Sequence, residues 1–574
     1  MITALETTIT ETKLNEPYKP VDGAKPSCVV HWDGRLDNRY DLLALLVDSL
    51  RDDTSNSAIA LAAYERWGTN GFVHLIGDWS VVIRDHANRA TVLASDFAGV
   101  RPLYYSVQRG DVFWSSRLQA VVDATGIPEL DEQYMGAFLL YGGCPNRTPY
   151  RGICSVPAGH AVCVSPTGTK ISRFWNLPIG DEVRYGNQHR YEEHLRVLFR
   201  EAVSVRLQTE APVLAELSGG LDSSSVVSMA NHLMRSGAVP TKSLTTVSYL
   251  WRDSLDEPFI REMESSCGIK GIHVSTHDAP LISEAHVGSA QPEIFQPLRK
   301  SVASLSRQVG AKVLLTGQNG DLMMGNLFDD SLQLSAWLRR FRIARACKEA
   351  IEWSKILRLP AYQVLWQAAC ASLPSAFAPA NVYGKDDGSY TLKSIETSLL
   401  PDFIDRLGLS ESGNIFSGTW MQAAPERRKY FRSLSTILEL RTFQVPELWQ
   451  HLDYTHPFTH RPLVEFLMTV PVDVLCGPGQ PRKLMRSALS DLWPVKLRMR
   501  RSKGLFSLPW QEALRPLALV LIRAKELQVV ERGFVDRPSV LSRLQRLSAG
   551  LDCNQDQMRY MIALELWLRS RKAK

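Results

Sequence analysis

The sequence predicts a multidomain α/β protein with a β-rich first half and a second half in which strands alternate with helices. Its length of 574 residues exceeds the size that one hydrophobic core usually organises, so two or three domains are expected. Residues 27 to about 175 carry short apolar runs broken by Gly, Pro, Asn and Asp, a pattern typical of a β-sandwich. From Tyr191 onward, apolar strands alternate with amphipathic helices, which predicts a doubly wound parallel sheet with helices on both faces.

Individual elements follow from local periodicity and from the residues that end them. A helix is expected over 57–67, where Ala, Leu and Tyr recur at a helical period before Gly68, and the polar stretch 180–189 is the predicted linker. Predicted strands of the first half span 27–31, 80–84, 91–94 and 160–164. In the second half, predicted helices span 191–208, 223–235 and 258–267, and predicted strands span 211–217, 243–250, 271–275 and 312–315. From Asn326 the chain is expected to be mainly helical, apart from an irregular stretch at 373–389.

The composition indicates an ordinary globular chain and excludes several classes of protein. Hydrophobic residues make up 45% and charged residues 22%, so the chain can bury large cores and global disorder is excluded. The net charge of +6 is small for this length, and we expect no nucleic acid partner. No apolar run reaches the length of a membrane span, and the polar, acidic N-terminus is not a signal peptide. The nine cysteines are scattered without a CxxC pair, which favours reduced thiols and a cytoplasmic enzyme.

The motif that carries the chemistry is Ser218-Gly219-Gly220-Leu221-Asp222-Ser223-Ser224, which follows a predicted strand and opens a predicted helix. Glycines let the backbone approach a phosphate closely, and the amides at a helix N-terminus point at the anion. The serine hydroxyls add donors, whereas Asp222 would repel phosphate unless a cation lay between them, so it is a candidate magnesium ligand. The loop has no lysine, unlike the phosphate loop of kinases and GTPases. SGGxDS is instead the signature of enzymes that release pyrophosphate and form an acyl-adenylate; the alternative is a glycine-rich turn with a helix-capping aspartate.

With this loop, the chain resembles the asparagine synthetase family over most of its length. The resemblance implies an Ntn-hydrolase-like, glutaminase-type domain over 1–183 and a PP-loop, ATP pyrophosphatase-type synthetase domain with a large helical region over 190–574. Asp321, in the segment 316–321, sits where the family has its second magnesium carboxylate, and the alternative is a loop-capping aspartate. The segments of the first half that carry the resemblance are 77–80, 96–105, 150–153 and 156–160.

The same resemblance implies a set of site residues and the cofactors ATP and Mg²⁺. Asp453 takes the position of an active-site glutamate shortly before Pro-Phe. Lys503 falls on the lysine expected to stabilise negative charge on the acyl-adenylate or at the later tetrahedral centre, although the basic run around it could also be a solvated face. Asp222 and Asp321 are the implied metal ligands. The implied ATP-binding residues are Leu217, Ser218, Gly219, Gly220, Asp222, Ser223, Ser224, Val247, Thr316, Gly317 and Arg482.

The first half departs from the family at the positions that release ammonia from glutamine. The chain begins Met1-Ile2-Thr3, whereas a working glutaminase half needs a cysteine thiolate at the mature N-terminus, and the first cysteine here is Cys28. Asp33-Gly34-Arg35 replaces the Asn-Gly-Glu loop that grips glutamine, and Asn56 replaces the aspartate that pairs with its amino group. We therefore expect a degenerate glutaminase domain that is kept as a scaffold.

An acyl-adenylate without an ammonia supply needs another nucleophile. The loop 32–39 and the segment 456–465 resemble the lasso peptide macrolactam synthetase branch of the family. That branch adenylates an Asp or Glu side chain of a leader-free core peptide and joins it to the peptide's own N-terminal amine. The core precursor peptide is then the substrate, and a leader peptidase and a leader-recognition protein are the expected partners.

Two alternatives stay open at this point. A β-lactam synthetase-like or other small-molecule amide ligase would use a Tyr–Glu pair as base, and Tyr454 and Tyr430 are the candidate tyrosines. The second alternative is a non-catalytic scaffold that binds a peptide. The intact loop, together with Asp222, Asp321 and Lys503, argues against this alternative.

Overall fold

The computed structural model describes most of the chain, and every structural statement below concerns that part. The described residues are 10–13, 28–50, 53–126, 129–180, 182–276, 289–293, 295–325, 331–373, 398–408, 416, 418–500, 507–551 and 554–572.

The N-terminal half is a sandwich of two antiparallel sheets. One sheet has the order β1-β6-β5-β7 and the other the order β2-β3-β4-β8-β9. One buried cluster takes Tyr105 and Trp114 from the first sheet and Val82, Leu93 and Val162 from the second, so the inner faces pack on each other. This confirms the predicted sandwich. The strands are β1 (Thr10–Lys13), β2 (Val29–Gly34), β3 (Trp79–Asp85), β4 (Ala90–Ser95), β5 (Tyr104–Gln108), β6 (Asp111–Ser115), β7 (Ile153–Ser155), β8 (His160–Ser165) and β9 (Gly168–Arg173).

Helices flank this sandwich, and only one of them was predicted. The predicted helix begins one residue earlier than expected, where the Ser55 hydroxyl accepts a hydrogen bond from the Ala58 amide at 3.2 Å. A second helix is capped by Asp131, whose carboxylate accepts from the Tyr134 amide at 3.0 Å. The helices are α1 (Arg39–Leu45), α2 (Asn56–Trp67), α3 (Leu118–Thr125) and α4 (Glu132–Tyr141).

The second half contains a five-stranded parallel sheet, as predicted. Its order is β12-β11-β10-β13-β14, so the direction in which successive strands are added reverses between β10 and β13. Loops that leave the two strands at such a reversal diverge and open a crevice at the carboxyl ends. The fifth strand was not predicted. The strands are β10 (Val213–Glu216), β11 (Leu244–Leu250), β12 (Gly271–Ser275), β13 (Val313–Leu315) and β14 (Asp453–Thr455).

Helices cover this sheet, and the first of them begins inside the predicted linker. Asn187 caps it by accepting from the Arg190 amide at 3.0 Å, so the linker ends two residues before its predicted limit. The other two predicted helices lie where expected, within two residues of the predicted bounds. These helices are α5 (Gln188–Ser204), α6 (Leu221–Arg235), α7 (Glu257–Cys267), α8 (Gln296–Val309) and α9 (Gly320–Met323).

The rest of the chain is mainly helical, as predicted. The predicted irregular stretch 373–389 lies, beyond Leu373, outside the described residues. No helix in the described ranges is long and apolar enough to cross a membrane. These helices are α10 (Leu334–Arg339), α11 (Ile343–Leu357), α12 (Ala361–Ser372), α13 (Pro401–Arg406), α14 (Pro425–Glu439), α15 (Arg461–Thr469), α16 (Val472–Leu475), α17 (Lys483–Leu489), α18 (Val495–Arg498), α19 (Ser507–Arg523), α20 (Gln528–Glu531), α21 (Arg537–Ser548) and α22 (Gln555–Lys572).

The C-terminal helices pack against the N-terminal half. Buried residues of α4, such as Tyr134 and Phe138, share one hydrophobic cluster with Leu564 and Trp567 of α22. The predicted division into 1–183 and 190–574 therefore follows the sheets, while the helices of α19 to α22 complete a core that both halves share.

A buried cluster of charged side chains joins the two halves. Arg35, which follows β2, places Nη2 2.8 Å from Asp78 Oδ2, Nη1 3.0 Å from Asp453 Oδ2 and Nε 2.5 Å from Asp37 Oδ1. Because Asp453 begins β14, one guanidinium connects the sandwich to the edge of the parallel sheet. We refer to this group as the interface cluster, and its members are Arg35, Asp37, Asp78, Arg101, Arg206, Asp453 and Thr455.

The charges within the interface cluster compensate each other. Arg101 Nη2 lies 2.5 Å from the second oxygen of Asp453, and Arg206 Nε donates to Thr455 Oγ1 at 2.7 Å. Burial raises the pKa of Asp78, but Arg35 and Arg206 outweigh burial and hold that pKa well below its usual value. The carboxylates are therefore stable in their ionised form only while the arginines are present.

We expect Arg35→Met to destabilise the protein by about 3–5 kcal/mol, because it leaves buried carboxylates without a cation. The matched control is Arg151→Met. Arg151 also pairs with a carboxylate, at 3.3 Å from Glu129, but 76% and 67% of the two side chains are exposed, so a loss below about 1 kcal/mol is expected. Urea unfolding followed by tryptophan fluorescence measures both. Equal stabilities of the two variants would show that the interface cluster does not hold the halves together.

Candidate functional site

A cavity of about 790 Å³ lies at the carboxyl ends of β10 and β13. This is the crevice that the strand order creates, and its volume falls within the range of about 300–1,000 Å³ that is usual for ligand pockets. The loops that leave β10 and β13 line part of it, including Ser218 and Asp321. The N-terminal half lines another part, with Tyr104, Tyr134 and Phe138 among its walls. Both halves of the chain therefore enclose one chamber.

The serine-rich loop has the geometry of an anion-binding turn. Gly219 has a φ of 70°, a left-handed conformation that favours glycine, and Gly220 immediately precedes α6. Ser223 Oγ lies 3.0 Å from Ser218 Oγ and accepts from the Ser218 amide at 3.1 Å, which closes the loop on itself. The loop thus presents the N-terminus of a 15-residue helix to the cavity.

The two predicted metal-binding carboxylates belong to loops that touch each other. A Cβ added at Gly320 would lie only 2.6 Å from Cβ of Asp222, so glycine at this position allows the turn before α9 to pack on the serine-rich loop. Asp321 is the next residue, and it lines the cavity together with Asp222.

This arrangement fits a magnesium ion that also binds a nucleotide. Mg²⁺ usually takes one or two carboxylates from the protein and completes its shell with phosphate oxygens and water. Asp222 and Asp321 would hold such an ion, which would neutralise charge on the triphosphate. Within the described residues, no group of three or more His, Cys, Asp or Glu side chains is placed to hold a metal.

Two arginines fix the serine-rich loop from the C-terminal side. Arg482 Nη2 lies 2.8 Å from Asp222 Oδ2, and both side chains are nearly buried. Arg500 Nη1 donates to the Gly219 carbonyl at 2.7 Å, and its Nη2 pairs with Asp256. Arg482 was predicted as a phosphate contact, and it is placed to orient Asp222 as well. The role of Arg500 was not predicted; its only sequence signal is its place at the start of the basic run 500–506.

A half-buried acid at the end of β10 was also missed. Glu216 lines the cavity and accepts a hydrogen bond from Tyr249 OH at 2.9 Å. Burial raises the pKa of Glu216, and burial together with Glu216 raises that of Tyr249. Tyr454 of β14 lines the same wall and donates to Gln318 Oε1 at 3.3 Å. The signal in the sequence is a single carboxylate at the end of an otherwise apolar strand, immediately before the serine-rich loop.

The remaining predicted nucleotide residues divide into two groups. Leu217, Val247, Thr316 and Gly317 line the cavity, together with the loop residues Ser218 and Ser223. Ser224 is fully buried in α6, and its hydroxyl has no hydrogen-bond partner among the described residues. Lys503 lies outside the described residues.

Asp453, which was predicted to be catalytic, lies in the interface cluster, where Arg35 and Arg101 bind both of its oxygens. Its catalytic role stays a prediction. Successive side chains of a strand point to opposite faces. Thr455 therefore shares the face of Asp453 and accepts from Arg35 at 3.3 Å, whereas Tyr454 faces the cavity. Tyr430, the other candidate tyrosine, is buried in α14 and donates to Met323 Sδ at 3.7 Å.

The N-terminal half lacks a reactive thiol at its described cysteines. Burial, with smaller contributions from Asp85 and Glu65, raises the pKa of Cys28 to about 11, so its thiol stays protonated at neutral pH. Arg35, of the replaced loop, is occupied by the interface cluster. Asn56, at the start of α2, accepts from Arg39 Nη1 at 3.0 Å. These contacts serve structure and leave no free group of this set for binding glutamine.

Comparison with known families gives two matches. Residues 194–569, more than half of the chain, match the family described as asparagine synthase, and residues 14–175 match the family described as glutamine amidotransferase domain. The two matched segments coincide with the parallel sheet and its helices and with the antiparallel sandwich.

Individual relatives are similar over part of their length. The chain is 27% identical to the glutamine-hydrolysing asparagine synthetase 3 of Bacillus subtilis strain 168, over 40% of this chain and 38% of the relative. It is 25% identical to Amidase chyE of Penicillium rubens, over 54% of this chain and 48% of the relative. The chain thus spans less than half the length of these curated relatives.

Two solved structures with low overall similarity were also found. One is the glutamine phosphoribosylpyrophosphate amidotransferase of B. subtilis, with 14% identity, a TM-score of 0.20 and coverage of 54% of this chain and 57% of that one. The other is the NMN synthetase of Francisella tularensis, with 16% identity, a TM-score of 0.17 and coverage of 25% and 59%. Both scores lie far below 0.5, so neither similarity supports a conclusion on function.

We expect Asp222→Asn and Asp321→Asn each to weaken magnesium-dependent ATP binding by at least about tenfold, or about 1.4 kcal/mol, because each removes one charge that would hold the cation. Asp123→Asn, an exposed carboxylate outside the cavity, is the control. Calorimetric titration with ATP, with magnesium and with EDTA, measures the effect. A variant that binds ATP as the native chain does at every magnesium concentration would remove that residue from the metal site.

Proposed function

Because the chain belongs to the asparagine synthase family, we propose that it is an ATP-dependent, AMP-forming amide ligase of the lasso peptide macrolactam synthetase type. Its substrate would be a leader-free core peptide, whose Asp or Glu side chain is joined to its own N-terminal amine. The observation that carries the proposal is the state of the N-terminal half, which keeps its fold but has its glutamine loop committed to the interface cluster.

The first step would take place at the loop end of the cavity. An oxygen of the substrate carboxylate attacks the α-phosphorus of ATP, the bond to the β-phosphate oxygen breaks, and pyrophosphate leaves. The amides at the N-terminus of α6 and the hydroxyls of Ser218 and Ser223 are placed to bind the leaving pyrophosphate. Lys503 stays proposed as a cation that stabilises the acyl-adenylate, and Arg482 orients Asp222.

The second step needs an amine that arrives with the substrate. The amine nitrogen attacks the acyl carbon, AMP leaves with the electron pair of the broken C–O bond, and one proton is lost from nitrogen. A carboxylate and an amine on the same chain react as a ring once they are held in contact. The aromatic wall of Tyr104, Tyr134 and Phe138 supports this role, because it provides an apolar surface for a peptide at the end of the cavity away from the phosphates.

Glu216 is the residue best placed to take the proton. It is half-buried, lines the cavity, and accepts a hydrogen bond from Tyr249 at 2.9 Å. Its raised pKa makes it a stronger base than an exposed glutamate and brings that pKa closer to neutral pH, as general base catalysis requires. We therefore propose Glu216 as the general base.

The same pair favours a second candidate function. A β-lactam synthetase-like or other small-molecule amide ligase would use a Tyr–Glu pair as base, and Tyr249 with Glu216 is such a pair. In both candidates the nucleophile comes with the substrate, so the product distinguishes them. A leader peptidase and a leader-recognition protein are proposed partners only in the macrolactam case.

We expect the reaction with a leader-free core peptide and ATP to yield AMP, pyrophosphate and a peptide lighter by one water, with its α-amine consumed. Tandem mass spectrometry and labelling with an amine-reactive reagent measure the product, and the Asp222→Asn variant is the inactive control. Added glutamine is expected to release no glutamate. A dehydrated product whose α-amine still reacts with the label would exclude the macrolactam and favour the small-molecule ligase.

We expect Glu216→Gln to slow ring closure by about 10²–10⁴-fold while ATP–pyrophosphate exchange persists, because only the amine-attack step needs the base. The base works when ionised, so activity should fall as the pH drops through the raised pKa of Glu216. The Tyr249 hydrogen bond lowers that pKa, so Tyr249→Phe should move the acid limb of the kcat profile to higher pH. An acid limb that stays in place in Tyr249→Phe, or ring closure at the native rate in Glu216→Gln, would assign the base elsewhere.

A further inference from the structure

A buried arginine that forms no ion pair with any described residue lines the cavity. Arg441 follows α14 and has a φ of 51°, a left-handed conformation that costs a non-glycine residue roughly 1–2 kcal/mol. The Arg441 carbonyl accepts a hydrogen bond from the Gln444 amide at 3.0 Å. Val445, which follows Gln444, donates its amide to the Val100 carbonyl of the N-terminal half at 2.9 Å. The backbone therefore holds Arg441 at the junction of the two halves.

Among the residues that the structure describes, no carboxylate pairs with the guanidinium of Arg441. Its Nε and Nη1 atoms are buried and have no hydrogen-bond partner among the described residues. The titratable groups that surround it are the neutral phenols of Tyr104 and Tyr134 and the thiols of Cys144 and Cys154. Burial lowers its pKa, which reflects the cost of keeping this cation away from water.

The acidic residues that line the same cavity do not compensate Arg441. Glu447 pairs with Arg117 at 3.0 Å, and Glu293 pairs with Arg299 at 2.9 Å. A buried charge without a partner costs several kcal/mol, and natural proteins retain one mainly where a ligand compensates it.

We propose that Arg441 binds a carboxylate of the substrate other than the one that is adenylated. Arg441 lines the cavity, and a guanidinium matches the planar fork of a carboxylate. Phosphate has its own donors at the serine-rich loop. The ligand class is therefore an acid with a second, non-reacting carboxylate, either a C-terminal carboxylate or another acidic side chain.

The identification of this acid as a peptide rests on the proposed function. The presence of an anion site at Arg441 is independent of that function. In the macrolactam reaction, a contact with Arg441 would anchor the substrate at one end while its reactive carboxylate lies at the loop end. Fixing a chain at two points reduces the freedom that the amine must lose before it meets the acyl carbon. Arg441 is thus a substrate-binding residue that also determines which acids are accepted.

The first experiment measures anion binding without any turnover. The full-length protein is titrated with glutarate, with neutral glutaramide and with inorganic phosphate at constant ionic strength, and binding is followed by thermal unfolding. The variants are Arg441→Gln and, as control, Arg109→Gln. Arg109 has a similar φ of 52° but lies exposed on the hairpin between β5 and β6, outside the cavity.

We expect glutarate to stabilise the native chain and Arg109→Gln, and Arg441→Gln to weaken glutarate binding at least about tenfold. Without ligand, Arg441→Gln should be at least as stable as the native chain, because it removes an uncompensated buried charge. A purely structural arginine would instead lower stability when replaced. Equal glutarate binding by all three proteins, or tighter binding of phosphate than of glutarate at Arg441, would overturn the proposal.

The second experiment uses the peptide that undergoes ring closure. Arg441→Gln should raise KM at least about tenfold for the peptide with all its carboxylates free and leave kcat nearly unchanged. Peptides in which each non-reacting carboxylate is amidated in turn should include one for which the native chain and the variant have equal KM. If no peptide cyclises but glutarate binding depends on Arg441, the proposed function fails and the anion site stands. Alternatively, peptides cyclise while each amidation changes KM by the same factor in the native chain and in Arg441→Gln. In that case the anion site fails and the proposed function stands.

Discussion

The guanidinium of Arg35 sits between carboxylates from both halves of the chain, and much of the molecule's geometry depends on that contact. It fixes the start of β14 through Asp453, and β14 in turn carries Tyr454 into the cavity wall. It also fixes Asp78, next to the sandwich core residue Trp79. Since an ion pair buried at these distances tolerates little displacement, the two sheets are held at one separation. The chamber between them keeps its shape for the same reason.

This contact also explains why the N-terminal half keeps its structural role although its glutamine-binding loop is replaced. The loop that would bind glutamine in a working amidotransferase half now provides the arginine that holds the interface. Asp78 and Asp37 stay ionised because Arg35 is present, and removal of the N-terminal half would take away the charged groups that pair with Asp453 and Arg206. The half is therefore retained as one wall of the chamber and as the counter-charge of the other half.

Much of the site could be predicted from the sequence because its chemistry is local. The serine-rich loop and the segment 316–321 each hold their functional residues within a few positions, and each follows an apolar strand, so motif and context agree. The sandwich and the parallel sheet followed from periodicity in the same way. Glu216 could also have been predicted, because a single carboxylate in an otherwise apolar strand indicates a specific role.

Other features depend on contacts that periodicity does not record. β14 has three residues and no alternating pattern, so its place in the sheet comes from pairing with β13 alone. Asp453 and Tyr454 follow each other on one strand, so their side chains face opposite ways, and Tyr454 is the one that lines the cavity. The significance of Arg441 lies in the absence of an acid beside it, which only the folded arrangement reveals. Lys503 lies outside the described residues, and its role stays a prediction.

The shared core of α4 and α22 has a consequence for how the protein is made. Arg571 donates to the Tyr150 hydroxyl at 2.5 Å across a separation of 421 residues. At a synthesis rate of about 5–20 residues per second, α22 leaves the ribosome roughly 20–80 s after the segment it must cover. During that interval the apolar residues of α4 that pack on α22 lack that cover, and exposed apolar surface of this kind makes a partly folded chain prone to aggregation. The aromatic wall of the chamber is completed last, so a nascent chain with a finished nucleotide loop still has no closed compartment in which to hold a substrate.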